Sequence, residues 1–155
     1  MADMPENSEE LSVLKSTINK PIDKLETFPA PKNVTEVKFF TDELTSICPI
    51  TGQPDFGELT IEYEPNQLCL ESKSLKLYLW TFREEGHFCE ALASEIAQKI
   101  FDTLKPKWVR VTNEQSKRGG IETTAIGYVE ESRLRKKIIF VIPKQWLPVR
   151  YFHFL

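Results

Sequence analysis

Histidine is scarce in this chain: of 155 residues only His87 and His153 carry an imidazole, which excludes a site built on several histidine ligands. Cysteine is equally thin. Cys48, Cys69 and Cys89 are an odd number with no Cys-x-x-Cys pair, which argues against a disulfide framework or a zinc site and for a reducing cytoplasm. No stretch approaches the roughly 18–20 apolar residues of a membrane helix. The first thirty residues are acidic and polar, without the apolar segment of a secretory signal. An excess of basic charge is also missing: 20 Lys and Arg stand against 23 Asp and Glu, a net charge of -3. Nothing therefore draws the whole molecule to nucleic acid, although a local basic patch can still bind a small anion. What remains is 41% hydrophobic and 28% charged, the make-up of one soluble domain with a core of ordinary size.

The hydrophobic pattern sets the expected organisation. Residues 1–33 read as a loose leader, closed by the helix-hostile Pro29-Ala-Pro31 stretch. Residues 34–40 alternate and are rich in β-formers, predicting a strand. Residues 57–65 put Leu59, Ile61 and Tyr63 on one face and Glu58, Thr60 and Glu62 on the other, predicting a strand with one wet face. The period then changes. Leu75, Tyr78, Leu79 and Phe82 recur at helical spacing up to the break at Gly86, and Leu92, Ile96 and Ile100 mark a second helix over 88–104, stopped by Pro106. Residues 107–113 and 120–129 predict two more strands. The domain so outlined, residues 34–130, is an α+β fold: a four-stranded antiparallel sheet with two helices on one face. Its two open edges invite sheet extension between subunits. Residues 131–155 form a tail, apolar and aromatic from 136 onward, with no assigned role.

Three segments hold residues able to do chemistry. The first is Thr45–Phe56, where Pro49, Gly52 and Pro54 predict a tight turn. A thiolate at Cys48 can attack electrophilic carbon, and Asp55, seven residues on, can return from the far side of the turn to supply a proton. Taken alone, the pair fits an unreactive cysteine beside a solvated turn aspartate as well. The second is Glu71–Arg83. There Ser72 or Ser74 can cap a helix whose N-terminus favours an anion such as phosphate, and Lys73 and Lys76 share a face; an ordinary charged helix start has the same look. The third is Ser116–Gly120, a basic loop whose Arg118 can grip phosphate and whose glycines let a ligand approach the backbone. Many hairpins share that pattern. Glu90, one turn into the second helix, suits a helix N-terminus without any further role.

Together these segments carry more. "SICPITGQPDF", followed in order by "ESKSLKLYLWTFR", "GHFCE" and "RGG", resembles the NADPH-dependent 7-cyano-7-deazaguanine reductases, the nitrile reductases of queuosine biosynthesis, over about residues 37 to 124. The resemblance implies the tunnelling fold, whose strand and helix order agrees with the pattern above. It further implies a homo-oligomer of two stacked five-membered rings with active sites between subunits. By position it implies Cys48 as the nucleophile that captures the nitrile as a covalent thioimide and Asp55 as the proton donor. Leu70, Glu71, Ser72, Cys89 and Glu90 fall on substrate-binding positions, with the Glu90 carboxylate suited to the amino and ring N–H donors of a guanine-like face. Ser72, Lys73, Arg118 and Gly119 fall on positions around NADPH. Two hydride transfers complete the implied reaction, through an imine to the 7-aminomethyl product. No Rossmann fingerprint is present, so the cofactor would lie in a site the ring builds. The substrate would be the free base in the tRNA-modification pathway, with neither nucleic acid nor membrane as a partner.

One departure stands out. Members of that family read Phe-His-Glu where this chain reads Phe88-Cys89-Glu90. His87 lies one residue earlier, about 100° around a helix, and cannot simply replace the imidazole. Cys89 is either a small apolar filler or a second thiol able to pair with Cys48. Two other functions fit parts of the pattern: an amidinotransferase-like relative that adds ammonia to the same nitrile in RNA, and a non-catalytic purine- or pterin-binding module. The retained "ESKSLK" and "RGG" segments count against the first, and the intact Cys48 and Asp55 against the second.

Overall fold

Period-two alternation builds the main sheet. In β3 (Pro54–Glu64), Leu59, Ile61 and Tyr63 are buried while Phe56 and Glu58 are exposed on the other face. Antiparallel pairing joins β3 to β2 (Val37–Ile47) and β5 (Trp108–Arg118), and β5 to β6 (Ile121–Glu130). The resulting order, β2-β3-β5-β6, leaves β2 and β6 as edges. The structure, a computed structural model, describes Ser12, Val13 and residues 16–131. The apolar tail over 136–155 lies outside the described residues.

β2 runs seven residues past the expected end at Phe40. Alternation lapses over Thr41–Glu43 because the register shifts between Thr41 and Leu44, a bulge, after which Leu44 and Ser46 again face the core. Two short strands fall below the length at which a period shows. They are β1 (Thr27–Pro29), inside the expected leader, and β4 (Leu68–Leu70), and they pair with each other as a separate ribbon. Pro29 is tolerated in a strand with an open side. The Glu71 amide ties the ribbon on by donating to the Glu26 carbonyl at 2.9 Å.

Two helices follow, α1 (Ser72–Thr81) and α2 (Cys89–Leu104), separated by a 3-10 turn over Phe82–Glu84. The cap of α1 is neither expected serine. Glu71 holds that position, its carboxylate accepting from the amides of Lys73 and Ser74 at 2.7 Å each. Ser74 is instead buried, where its hydroxyl donates to the Glu71 carbonyl and accepts from the Glu26 amide. α2 buries the expected stripe of Leu92, Ile96 and Ile100 and adds Ala93, Ala97 and Phe101. It ends where Lys105 turns left-handed (φ 48°), just before Pro106. α2 lies across β5 and β6, so close that a Cβ at Gly127 would collide with the Ala93 carbonyl. One apolar core results, with Leu59, Ile61, Val109 and Val111 of the sheet facing Leu75, Phe82, Ile96 and Ile100 of the helical layer.

Candidate active site

The helix-facing side of the sheet turns polar at one end. Along β2 the inward series passes from Leu44 to Ser46, along β3 from Leu59 through Gly57 to Asp55, and along β5 from Val111 to Asn113 and Gln115. Pairing lines these ends up: Ser46 lies opposite Asp55, and Gly57 opposite Gln115. Ser46, Asp55 and Asn113 are buried, and a burial of polar groups needs partners. With Cys89 at the start of α2 they line a cavity of about 10 Å³, close to the volume of a single water.

Just outside that cavity sits Cys48. The β2–β3 connection closes as a turn in which the Cys48 amide donates to the Gln53 carbonyl (2.8 Å) and the Gly52 amide to the Cys48 carbonyl (2.9 Å). Behind it, the segment before α2 braces the strand end: the Ile47 amide donates to the Glu85 carbonyl, and the His87 amide to the Ile47 carbonyl. The thiol is half-buried and free. Hydrogen bonds from the Thr51 hydroxyl, the Thr51 and Ile50 amides and the Arg118 guanidinium bring its pKa down to about 7, which increases the thiolate present at neutral pH.

Asp55 is reached from the other side. Its side chain is 3% exposed and pairs with Arg118, which bonds one carboxylate oxygen. The Gln115 amide donates to the second oxygen at 3.1 Å, and its own carbonyl accepts from Arg118 at 2.7 Å. Arg118, bonded to the Asp55 carboxylate, is thus also near enough to Cys48 to help lower its thiol pKa, the least of the influences on it. It stands at the mouth of a two-residue hairpin in which Gly119 and Gly120 both take positive φ, 59° and 83°, the twist that lets β5 and β6 pair directly across such a loop.

Cys89 is buried. Its thiol donates to the Asn113 carbonyl at 3.6 Å while the Asn113 amide returns a bond to the Cys89 carbonyl. Burial and the neighbouring Glu90 push the thiol pKa up, which lowers the thiolate present at neutral pH. His87 lies ahead of α2 and faces away from this pocket, its ring edge-on to Phe82 and within 3.1 Å of Glu85. Glu90 is exposed on the first turn of α2.

The remaining expected residues gather at the N-terminus of α1. Leu70 and Glu71 are buried and Ser72 is exposed. The Lys73 ammonium donates to the carbonyls of Val13 and Ser16. Ser72 and Lys76 open onto a groove of about 240 Å³ between α1 and the β2–β3 pair, lined also by Phe39, Trp80 and Arg83. The expected residues thus fall in two clusters, Cys48–Asp55–Arg118 and the start of α1, on separate elements. Sequence reading missed Thr51 and Gln115. Gln115 had a signal: it continues the inward series Val109, Val111, Asn113 as a polar residue next to "RGG". Thr51 had none, because a turn hydroxyl is unremarkable in sequence.

Comparison with known proteins places the chain among relatives. Residues 54–133 match the family model described as QueF-like protein. The NADPH-dependent 7-cyano-7-deazaguanine reductase of Syntrophus aciditrophicus is 46% identical over 122 residues, covering 77% of this chain and 86% of the relative. Its namesake from Anaeromyxobacter sp. strain Fw109-5 is 45% identical over 106 residues, 67% of this chain and 87% of the relative. Among solved structures, the apo archaeosine synthase QueF-Like superposes with a TM-score of 0.59 at 27% identity, covering 63% of this chain and 95% of the other. The chain belongs to the QueF-like protein family.

Proposed function

We propose that this protein is an NADPH-dependent nitrile reductase that converts 7-cyano-7-deazaguanine to its 7-aminomethyl counterpart, in the tRNA-modification pathway that leads to queuosine. The observation that carries the reading is the shared Arg118, which brings a Cys48 thiol with a pKa of about 7 next to the buried Asp55 carboxylate. Relatives at 44–46% identity that carry this activity in their names support it.

A nitrile is a poor hydride acceptor, so capture comes first. The Asp55 carboxylate takes the proton of the Cys48 thiol, the thiolate adds to the nitrile carbon, one C–N π bond opens, and the nitrogen takes that proton back from the Asp55 carboxyl, leaving a thioimide on sulfur. No electrons leave the substrate in this step. Later cleavage of the C–S bond returns the Cys48 thiolate. Glu90, exposed at the start of α2, accepts the amino and ring N–H groups of the base, with Leu70, Glu71, Ser72 and Cys89 shaping the rest of its pocket.

The donors fit a dinucleotide phosphate. Arg118 keeps half its side chain exposed, the Ser72 hydroxyl is accessible, and the space around Gly119 is open. Lys73 joins them by exchanging its carbonyl partners for phosphate oxygen. When bound, NADPH supplies hydride, and the change from nitrile to amine, four electrons in all, requires two equivalents. The antiparallel sheet with both helices on one face supports the tunnelling fold. The open edges of β2 and β6, with Phe40, Ile126 and Tyr128 exposed on the outer face of the sheet, support a ring assembly that joins the two clusters across subunits.

The test follows NADPH absorbance on addition of 7-cyano-7-deazaguanine. The expected result is about two NADPH consumed per nitrile, and without NADPH a mass increase on Cys48 that is lost in Cys48→Ala. A stoichiometry near one, or ammonia incorporated with no NADPH used, overturns the reductase reading.

A further inference from the structure

Gln115 is used by none of the steps above, yet it touches two of the groups they depend on. Its side chain is half-buried at the inward end of β5, opposite Gly57 of β3 and beside the cavity that Asp55 and Cys89 line. The amide nitrogen donates to one Asp55 oxygen and the amide oxygen accepts from Arg118. Only one orientation satisfies both: Arg118 has donors alone, so the Gln115 oxygen must face it, and the NH₂ is then left for the carboxylate. Arg118 in turn bonds the other Asp55 oxygen. The three side chains close a ring of hydrogen bonds around a carboxyl that is itself 3% exposed.

We infer that Gln115 is a positioning residue, which acts through Asp55 and Arg118 to aim the proton-donating carboxyl at the nitrile held by Cys48. This inference rests on the nitrile-capture reading and adds a residue to it. The clamp ties down one lone pair on each carboxyl oxygen, leaving on each a second lone pair in a fixed direction to carry the proton. Without Gln115 the Asp55 side chain keeps a single anchor, Arg118, whose far end is open to solvent. Arg118 also loses its bond to Gln115. A proton that must arrive as the C–S bond forms is then delivered from a spread of directions, and such loss of aim slows the step without weakening substrate binding.

Gln115→Leu removes both bonds at similar volume. Gln115→Glu keeps an acceptor for Arg118 but replaces the donor facing Asp55 with a like charge, which favours the protonated carboxyl. The readout is the rate of mass adduct formation on Cys48 with 7-cyano-7-deazaguanine, without NADPH, across pH. For Gln115→Leu we expect the adduct rate to fall at least tenfold at saturating nitrile, with the half-saturating nitrile concentration and the NADPH dissociation constant within twofold of wild type. For Gln115→Glu we expect the limb of the pH–rate profile that Asp55→Asn abolishes to move up by about one pH unit. A purely structural role would lower the melting temperature and leave that limb in place. If Gln115→Leu does not fold, the pH limb of Gln115→Glu decides alone. Unchanged adduct rate in Gln115→Leu, or an unmoved limb in Gln115→Glu, overturns the role of Gln115. Absence of any adduct in wild type overturns the nitrile-capture reading instead.

Discussion

At the scale of the residue, the decisive contrast lies between two cysteines of one pocket region. Cys48 sits on a turn, in contact with a hydroxyl, two amides and a guanidinium, and its thiol titrates at about 7. Cys89 sits under the sheet end, bonded to a carbonyl, with its thiol pushed up by burial. Environment alone sets the two thiols apart. The folded thiol of Cys48 lies below the usual cysteine value, so its alkylation should rise through about pH 7, where an ordinary thiol rises about 1.5 pH units higher. Iodoacetamide labelling followed by peptide mass analysis measures this. Thr51→Val, which deletes the largest stabilising bond, should move the midpoint upward, and the Cys89 site should label only on unfolding. A midpoint of 8.5 or above in the wild type would show that the turn does not activate the thiol.

Among the elements, α1 shows how one side chain can serve both stability and site. Glu71 caps the helix through two amide bonds at 2.7 Å, and its own amide ties α1 to the β1–β4 ribbon. Glu71→Ala removes the cap and should cost about 0.5–2 kcal/mol, a drop of roughly 2–8 °C in melting temperature for a domain of this size. Calorimetry or thermal circular dichroism measures it. Since Ser72 and Lys73 begin that helix, the same variant should also weaken NADPH use while leaving alkylation of Cys48 unchanged. Equal NADPH use and equal melting in variant and wild type would remove Glu71 from both roles.

For the whole molecule, the sheet has two edges. Among the described residues β2 meets an outer neighbour only where the Ile47 amide and carbonyl bond the Glu85–His87 segment, and β6 pairs with no strand beyond β5, while Phe40, at 60% exposure, lies with Ile126 and Tyr128 on the face away from the helices. Surface of this kind is normally covered by a partner. Sedimentation should therefore find a particle about ten times the 18.0 kDa chain, two rings of five by the family's pattern. A charge placed on the exposed sheet face, as in Ile126→Asp, should dissociate the particle and abolish nitrile reduction, because the proposed assembly builds each site from two subunits. A fully active monomer would overturn the assembly.

Much of this was legible in the chain itself. The 3.6-residue stripe of Leu92, Ile96 and Ile100 and the two-residue alternation of Leu59, Ile61 and Tyr63 determine the α+β class, because burial of one face is a local rule that each segment obeys on its own. Cys48, Asp55 and the turn between them could be singled out for the same reason, since Pro and Gly dictate a reversal wherever they stand. The β1–β4 ribbon could not, because three-residue strands exist only by virtue of the pairing partner. The cap of α1 was not legible within the polar run Glu71–Ser74, because the choice depended on burial of Ser74 and not on propensity. The placement of Arg118 by Asp55, and of Gln115 behind it, was decided by the antiparallel register of β2, β3 and β5. That register brings positions up to seventy residues apart to one end of the sheet, and no local pattern encodes which residues of different strands will stand opposite one another.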